Sequence, residues 1–438
     1  MEKRRGATCA AFLCGVRRPA SPTPAQALLF CALVLLVQVI LATGTINDLD
    51  LFLAAGADLL NGGRVYRDLY NEAYSYFYGP VFALLLRPLA WLPDWWGELM
   101  WGLSGVAFLT RSLVLLGRWN QATQLDRSQL AVSIIAVVVF TFQPIRDNLN
   151  AGQTSFLLLW TMLEAIALAE RGKWFGAALL LAFGTDIKLL PLAVWAYLLY
   201  RGHWRTAALA PVLLVVLSWG LPALIFGPER STELLNDRVA LIDPGDPRHV
   251  LDEEEPDFLS IGAVLSAYLS AEGGNRFTLD LPRQVMDLPL STMLILIPVA
   301  RLVLASSLLF VLGWPPFRAR STERLAGREL AWLFALIPLV FPHQQTYSLL
   351  YALPAVVHLA VRWWAPDGIL RNGWAQALLL LAYACLNAHL WLGHFGPVYD
   401  HYKLPVLGLV ALGVLVALDE PGTRMAGPTG ERPSASGA

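Results

Sequence analysis

The chain has 438 residues, of which 56% are hydrophobic and 15% charged, with a formal net charge of -1 and a mean hydropathy of +0.53. Soluble domains carry about 25% charged residues, so this composition belongs to an integral membrane protein, and the neutral balance gives no footing for nucleic acid. The sixteen tryptophans suit many membrane–water boundaries. Cys9, Cys14, Cys31 and Cys385 form no CxxC pair and show no metal spacing, so they read as bland thiols with no cofactor role.

The N-terminal segment 1–24 is basic, with Lys3, Arg4, Arg5, Arg17 and Arg18. The apolar stretch 25–42 behind it approaches the ~20 residues that span a bilayer and exceeds a signal-peptide core, so a retained first helix starting in the cytoplasm is expected. Further apolar segments follow at 98–117, 129–143, 154–169, 174–184, 188–200, 206–226, 288–312, 329–341, 346–361, 374–392 and 404–418. The count is about twelve helices, which puts both termini on one side. "ERGK", "RGHWR" and "RARSTERLAGR" then fall inside, as the positive-inside rule asks. The expected architecture is an all-α polytopic domain over 25–418. Its first external loop is 45–97, its large acidic external loop 227–287, and its tail 419–438 is disordered and cytoplasmic. The segment 78–93, interrupted by Arg87 and Pro88, is too short to span and is expected as a membrane-surface or re-entrant helix.

Polar clusters gather on the outward side of this map. In "NDLDLFLAAGADLLNGG", Leu49, Phe52, Leu53, Gly56 and Leu60 recur at helical spacing, so an amphipathic helix is expected from Asp48 to "NGG". Asp50 and Asp58 lie on its polar side. Asp48 stands where it can cap the helix or do chemistry, and the two roles are compatible. "QPIRDNLNAGQTS" places Arg146, Asp147, Asn148, Asn150 and Gln153 between two apolar segments, and a solvated turn is the plain alternative. Asp186 and Lys188 interrupt apolar sequence, which marks a functional site or a mutual pair; Lys188 suits a lipid phosphate as a point charge, or simply snorkels. "FPHQQTYSLLYALP" brings His343, Gln344, Gln345 and Tyr347 to a helix start, with His343 able to donate to a phosphate or sugar oxygen. His394, Asp400, His401 and Lys403 follow in the last external loop without a zinc pattern. No nucleotide-binding, hydrolase or metalloprotease motif is found.

In their order these blocks resemble glycosyltransferase family 87, polytopic mannosyltransferases of the GT-C class that use polyprenyl-phosphate sugars. Asp48 to Tyr66 resembles the family's opening block. "YFYGPVFALLLRPLAWLP" is similar to its aromatic-Tyr-Pro-Pro block, with Gly79 in place of the first proline. "NAGQTS" is similar to its Asn-Gly-Gln signature, with Ala151 inserted. "DIKLLP" resembles its Ile-Lys-x-x-Pro block, and "PHQQTYSLLYALP" its later Pro-x-Ser-x-x-x-Tyr block.

The resemblance implies inverting transfer of a sugar, mannose first, from a polyprenyl-phosphate carrier to a hydroxyl of a glycolipid or polysaccharide acceptor. It places the reaction on the outer face of a bacterial cytoplasmic membrane. Asp48 is the implied general base, with Asp50 as runner-up. Lys188, Arg146 and His343 are the implied phosphate ligands. Tyr66, Tyr78, Asn150, Gln153, Gln344 and Tyr347 are the implied substrate contacts, with no metal. A polyprenyl-phosphate arabinofuranosyltransferase is the alternative, as is a non-catalytic transporter or assembly protein.

Overall fold

Thr23 opens the first helix, α1 (Pro24–Ala42), by a capping box with Gln26 and a proline at the first turn. Ala27, Cys31, Leu35, Val39 and Ala42 bury one stripe at four-residue spacing, while Leu29, Phe30, Leu33, Val37, Ile40 and Leu41 stay exposed. A soluble protein could not leave such a face uncovered. The computed structural model describes residues 22–44, 47–70, 74–243, 246, 248–252, 257–270, 279–312 and 323–419. The basic stretch 1–21 with Cys9 and Cys14, the arginines at 318 and 320, and the tail 420–438 lie outside the described residues. Cys31 and Cys385 are buried thiols.

The described residues are helical, with an isolated bridge between Tyr70 and Tyr74 as their β-pairing. After α1 come α2 (Asp48–Leu60), α3 (Pro80–Leu86), α4 (Asp94–Trp119), α5 (Arg127–Phe140), α6 (Phe142–Asn150), α7 (Ser155–Glu170), α8 (Trp174–Ile187) and α9 (Leu192–Tyr200). α10 (Trp204–Val215) passes through a π turn at 216–220 into α11 (Leu221–Phe226). Pro222 cannot donate to the carbonyl of Ser218, and the wider turn absorbs that loss. The acidic stretch then forms α12 (Pro228–Ile242), α13 (Arg248–Leu251) and α14 (Ile261–Leu269). The remaining helices are α15 (Leu290–Ser306), α16 (Leu308–Leu312), α17 (Glu323–Val340), α18 (Leu353–Arg362), α19 (Gly373–Leu386), α20 (Ala388–Leu392), α21 (Gly396–His401) and α22 (Pro405–Leu418).

This is an all-α membrane protein. Among the described residues, four helical stretches are long and apolar enough to cross a bilayer: 24–42, 94–119, 204–226 and 290–312. Two bent pairs raise the number to six, α5 with α6 at 52° and α19 with the helices to His401 at 68°. The other apolar segments form shorter helices, of 16 residues in α7, 14 in α8 and 14 in α22, so length alone does not give twelve spans. The segment 78–93 becomes α3 and a 3-10 turn over Arg87–Trp91, with α3 packed on α2.

Both bends have a local cause. Pro144 cannot donate to the carbonyl of Phe140, which breaks the ladder between α5 and α6. Asn387, at the break after α19, supplies the missing donor: its Nδ2 reaches the Phe140 carbonyl at 2.8 Å, and its Oδ1 accepts from the Gln143 N–H at 3.1 Å. The segment 143–155, for which a solvated turn was the plain alternative, is therefore helical as far as Asn150.

α7 is enclosed between α4, α8 and a 3-10 helix over Thr346–Ala352. Far from its N-terminal end, ion pairs tie the helices together. Arg201 meets Glu329, and Arg362 reaches Asp419 at 2.7 Å with His358 on the same carboxylate at 3.1 Å. The site lies at the other end, where α2 begins, α6 ends and α8 ends.

Candidate active site

Asn47, not Asp48, caps α2. Its Oδ1 accepts from the N–H of Leu49 at 2.9 Å, and Asp50 closes the box by accepting from the Asn47 N–H at 3.3 Å. Asp48 is thus the first helical residue, with its carboxylate spared from capping. Its N–H donates to the carbonyl of Ala151 at 3.1 Å. The turn it meets needs glycine: Gly152 has φ +61, and a Cβ there would stand 2.6 Å from Asn47 Oδ1. Trp101 donates its indole N–H to the Gly152 carbonyl at 2.9 Å. These contacts dock the start of α2 against Gln153.

The Gln153 amide bridges two charges. Its Nε2 donates to Asp48 Oδ2 at 2.5 Å, and its Oε1 accepts from Lys188 Nζ at 3.2 Å. Lys188 also donates to the Tyr347 hydroxyl at 3.4 Å, and its ammonium lies 5.0 and 5.5 Å from the ring centroids of Tyr347 and Tyr78. Asn148 Nδ2 holds the Tyr347 carbonyl at 2.7 Å. Under Tyr78 sits an aromatic nest centred on the buried Phe52, whose ring lies 4.7 Å from Tyr78 and 5.1 Å from Phe82.

Burial raises the Asp48 pKa above the usual carboxylate value, opposed by the Lys188 charge and the Gln153 hydrogen bond. Burial lowers that of Lys188 to about 8, opposed by Asp48. No carboxylate touches Lys188 directly among the described residues, so its charge faces the site rather than a partner.

Lys188 and Asp186 are not a mutual pair. Asp186 turns the other way and binds Arg238 at 2.8 Å, while Lys188, extended at φ -144, swings toward Gln153. Asp50 faces a separate hollow between α2 and α4 with Arg87, Asp94 and Glu98. Tyr66 is one layer back, donating to the Tyr78 carbonyl at 2.8 Å. Arg146 and Asn150 are exposed on the outer side of α6. His343, at φ +56, stands with Asp252, whose Oδ1 accepts from its backbone N–H at 2.8 Å. Gln344 is buried and spends its amide on the Pro342 carbonyl at 2.8 Å. The structure therefore gathers Asp48, Gln153, Lys188, Tyr78 and Tyr347, while Arg146 and Asn150 face outward from α6, His343 meets Asp252 and Gln344 turns to Pro342.

The segment 389–401 pairs Asp400 with His389 at 2.9 Å and turns His401 Nε2 to the Leu281 carbonyl at 3.0 Å. Asn47, Asp252, His389 and Arg238 escaped sequence reasoning, because each owes its place to a partner tens to hundreds of residues away or to a cap one position off. Among the described residues no group of three or more His, Cys, Asp or Glu side chains is arranged to hold a metal ion.

The chain is similar to known glycosyltransferases. A 190-residue stretch is 27% identical to the polyprenol-phosphate-mannose-dependent alpha-(1-2)-phosphatidylinositol mannoside mannosyltransferase of Mycolicibacterium smegmatis, covering 38% of this chain and 42% of that protein. The protein of the same name from Mycobacterium tuberculosis is 28% identical over 188 residues, 37% of this chain and 42% of its own. The matches thus span less than half the length of these curated relatives. Residues 76–342, which carry Tyr78, Gln153 and Lys188, match glycosyltransferase family 87, and the chain belongs to that family.

Proposed function

We propose that this membrane glycosyltransferase moves mannose from a polyprenyl-phosphate carrier to a hydroxyl of a glycolipid acceptor, with inversion, at the outer face of the cytoplasmic membrane. The observation that carries the reading is the single amide of Gln153 between a carboxylate and an ammonium. An inverting transfer needs both groups, the base beside the attacking oxygen and the cation beside the leaving phosphate on the opposite face of the anomeric carbon. Asp48 takes the proton of the acceptor hydroxyl as its oxygen attacks the anomeric carbon. The bond from that carbon to the phosphate oxygen breaks, and Lys188 stabilises the charge that collects on the leaving phosphate. Tyr347 and Tyr78 hold the ammonium in place.

The raised pKa of Asp48 suits a base, since proton transfer is most efficient when the base's pKa lies near the working pH. A small cavity of about 20 Å³ between α1, α4 and α7, lined in part by Val39, Trp101, Phe108 and Phe156, reaches Gln153. The choice of mannose follows the two mycobacterial relatives, which are polyprenol-phosphate-mannose-dependent mannosyltransferases.

The test is transfer in proteoliposomes from radiolabelled polyprenyl-phosphate mannose to a membrane glycolipid, comparing wild type with Asp48→Asn at equal folded yield. Transfer by the wild type and its loss, by about 10³-fold or more, in Asp48→Asn is expected. Equal transfer by both removes Asp48 as the base. Transfer from an arabinofuranose donor alone replaces mannose.

A further inference from the structure

The sequence suggests no task for the acidic stretch after residue 227, yet α12 grips both halves of the site. At its start, Arg230 binds the carbonyls of Gly62 and Gly63, where α2 has just ended. Asp237, 7% exposed, takes Arg67 from the same turn at 2.5 Å. One residue on, Arg238 binds the other half. Its guanidinium reaches Asp186 Oδ1 at 2.8 Å, the Asp186 carbonyl at 2.5 Å and the Phe77 carbonyl at 3.1 Å. Ser218, from the π turn, donates to the same carboxylate oxygen at 2.7 Å. The Gly79 N–H donates to the Asp186 carbonyl at 3.0 Å.

The residues so pinned are immediate neighbours of the site: Phe77 and Gly79 flank Tyr78, and Asp186 lies two before Lys188. We infer that α12 is a brace that fixes the gap between the base and the phosphate-binding lysine, and that Arg238 is the positioning residue which sets Lys188 against Tyr78. The inference rests on the roles proposed above for Asp48 and Lys188. The chemistry favours arginine for this work, because a planar fork can hold three acceptors in one orientation, which a lysine point charge cannot. Gly79 makes the same point from the other side: a Cβ there would run into the Asp186 carboxylate, so the backbone approach has no slack.

The test has two readouts. The first is a fluorotyrosine placed at Tyr78 and followed by 19F NMR in detergent, which needs no turnover. The second is the kcat and KM for polyprenyl-phosphate mannose. Arg238→Ala should shift or broaden the resonance and lower kcat/KM by about 100-fold, the cost of a misplacement near 1 Å. Added guanidinium should restore both in part. Arg238→Lys, which keeps the charge, should remain shifted and impaired and stands in if Arg238→Ala does not fold. Arg111→Ala, which breaks an ion pair with Glu164 between α4 and α7, should change neither readout.

An unchanged resonance with unchanged kinetics in Arg238→Ala overturns the brace. So does full recovery by Arg238→Lys, which would make charge alone sufficient. If the wild type transfers no mannose, the proposed reaction fails, while the 19F comparison still decides the positioning.

Discussion

Replacing Lys188 by methionine should separate activity from stability. The site holds the lysine pKa at about 8, against an ordinary value of 10.5. At ~1.4 kcal/mol per pH unit, this difference amounts to about 3 kcal/mol by which the folded site disfavours the ammonium. The sign follows from proton counting. Between pH 8 and 10.5 the unfolded chain binds a proton that the folded chain has released, so stability rises with pH across that window; below it the full cost is present. Methionine has nearly the volume of lysine and no charge, so Lys188→Met removes the cost at pH 7. The value of about 8 already includes the attraction to Asp48, so no further offset applies and the expected stabilisation is about 2–3 kcal/mol. Transfer should meanwhile fall by about 10²–10³-fold, the usual effect of losing one donor to a developing anion. Thermal unfolding in detergent at pH 7 and pH 10, with transfer measured on the same preparations, checks both halves. The wild type should approach the mutant's stability at pH 10. A Lys188→Met protein that is less stable at pH 7, or that transfers normally, refutes the reasoning.

The same lysine predicts the alkaline limb of the rate profile. As Lys188 loses its proton, kcat/KM should fall above about pH 8, and Lys188→Arg should move that limb upward while the acid limb, set by Asp48, stays. Gly79→Ala should cost roughly 1–3 kcal/mol in unfolding measurements and reduce transfer, because the new methyl enters the space of the Asp186 carboxylate. Asp419→Asn, at the far end of the bundle, removes one of the two carboxylates on Arg362, leaving Asp367 at 3.0 Å, and should destabilise by about 1–3 kcal/mol, while kcat of the remaining folded protein stays unchanged.

The periodic features were legible without a structure. Of the expected α2 stripe, Leu49, Phe52 and Gly56 are buried and Leu53 half-buried, whereas Leu60 is exposed and Leu59 is buried in its place; Gly62 at φ +78 follows the helix end. Membrane character followed from composition alone. The residues now gathered in the site divide sharply. Asp48, Gln153, Lys188, Tyr78 and Tyr347 all stood in blocks that resembled the family, yet spacing offered no way to see that one amide would join the first three. The cap was misplaced by one residue because Asn47 and Asp48 are equally good capping residues, and only the docking on Ala151 distinguishes them. Asp186 and Lys188 looked like a pair because they are near in sequence. The extended backbone at Lys188 sends them apart, toward partners 52 and 35 residues away.

Asn387 carries a consequence of its own. One side-chain amide completes the broken ladder of α5–α6 and sits at the break of α19–α20, between segments 244 and 247 residues apart in sequence. Straightening either helix would leave buried polar groups orphaned in the other. The two corners therefore share one joint. A chain cut after the family-matched region would keep Asp48, Gln153 and Lys188 but lose Asn387, and with it the donor to the Phe140 carbonyl at the corner that leads into α6.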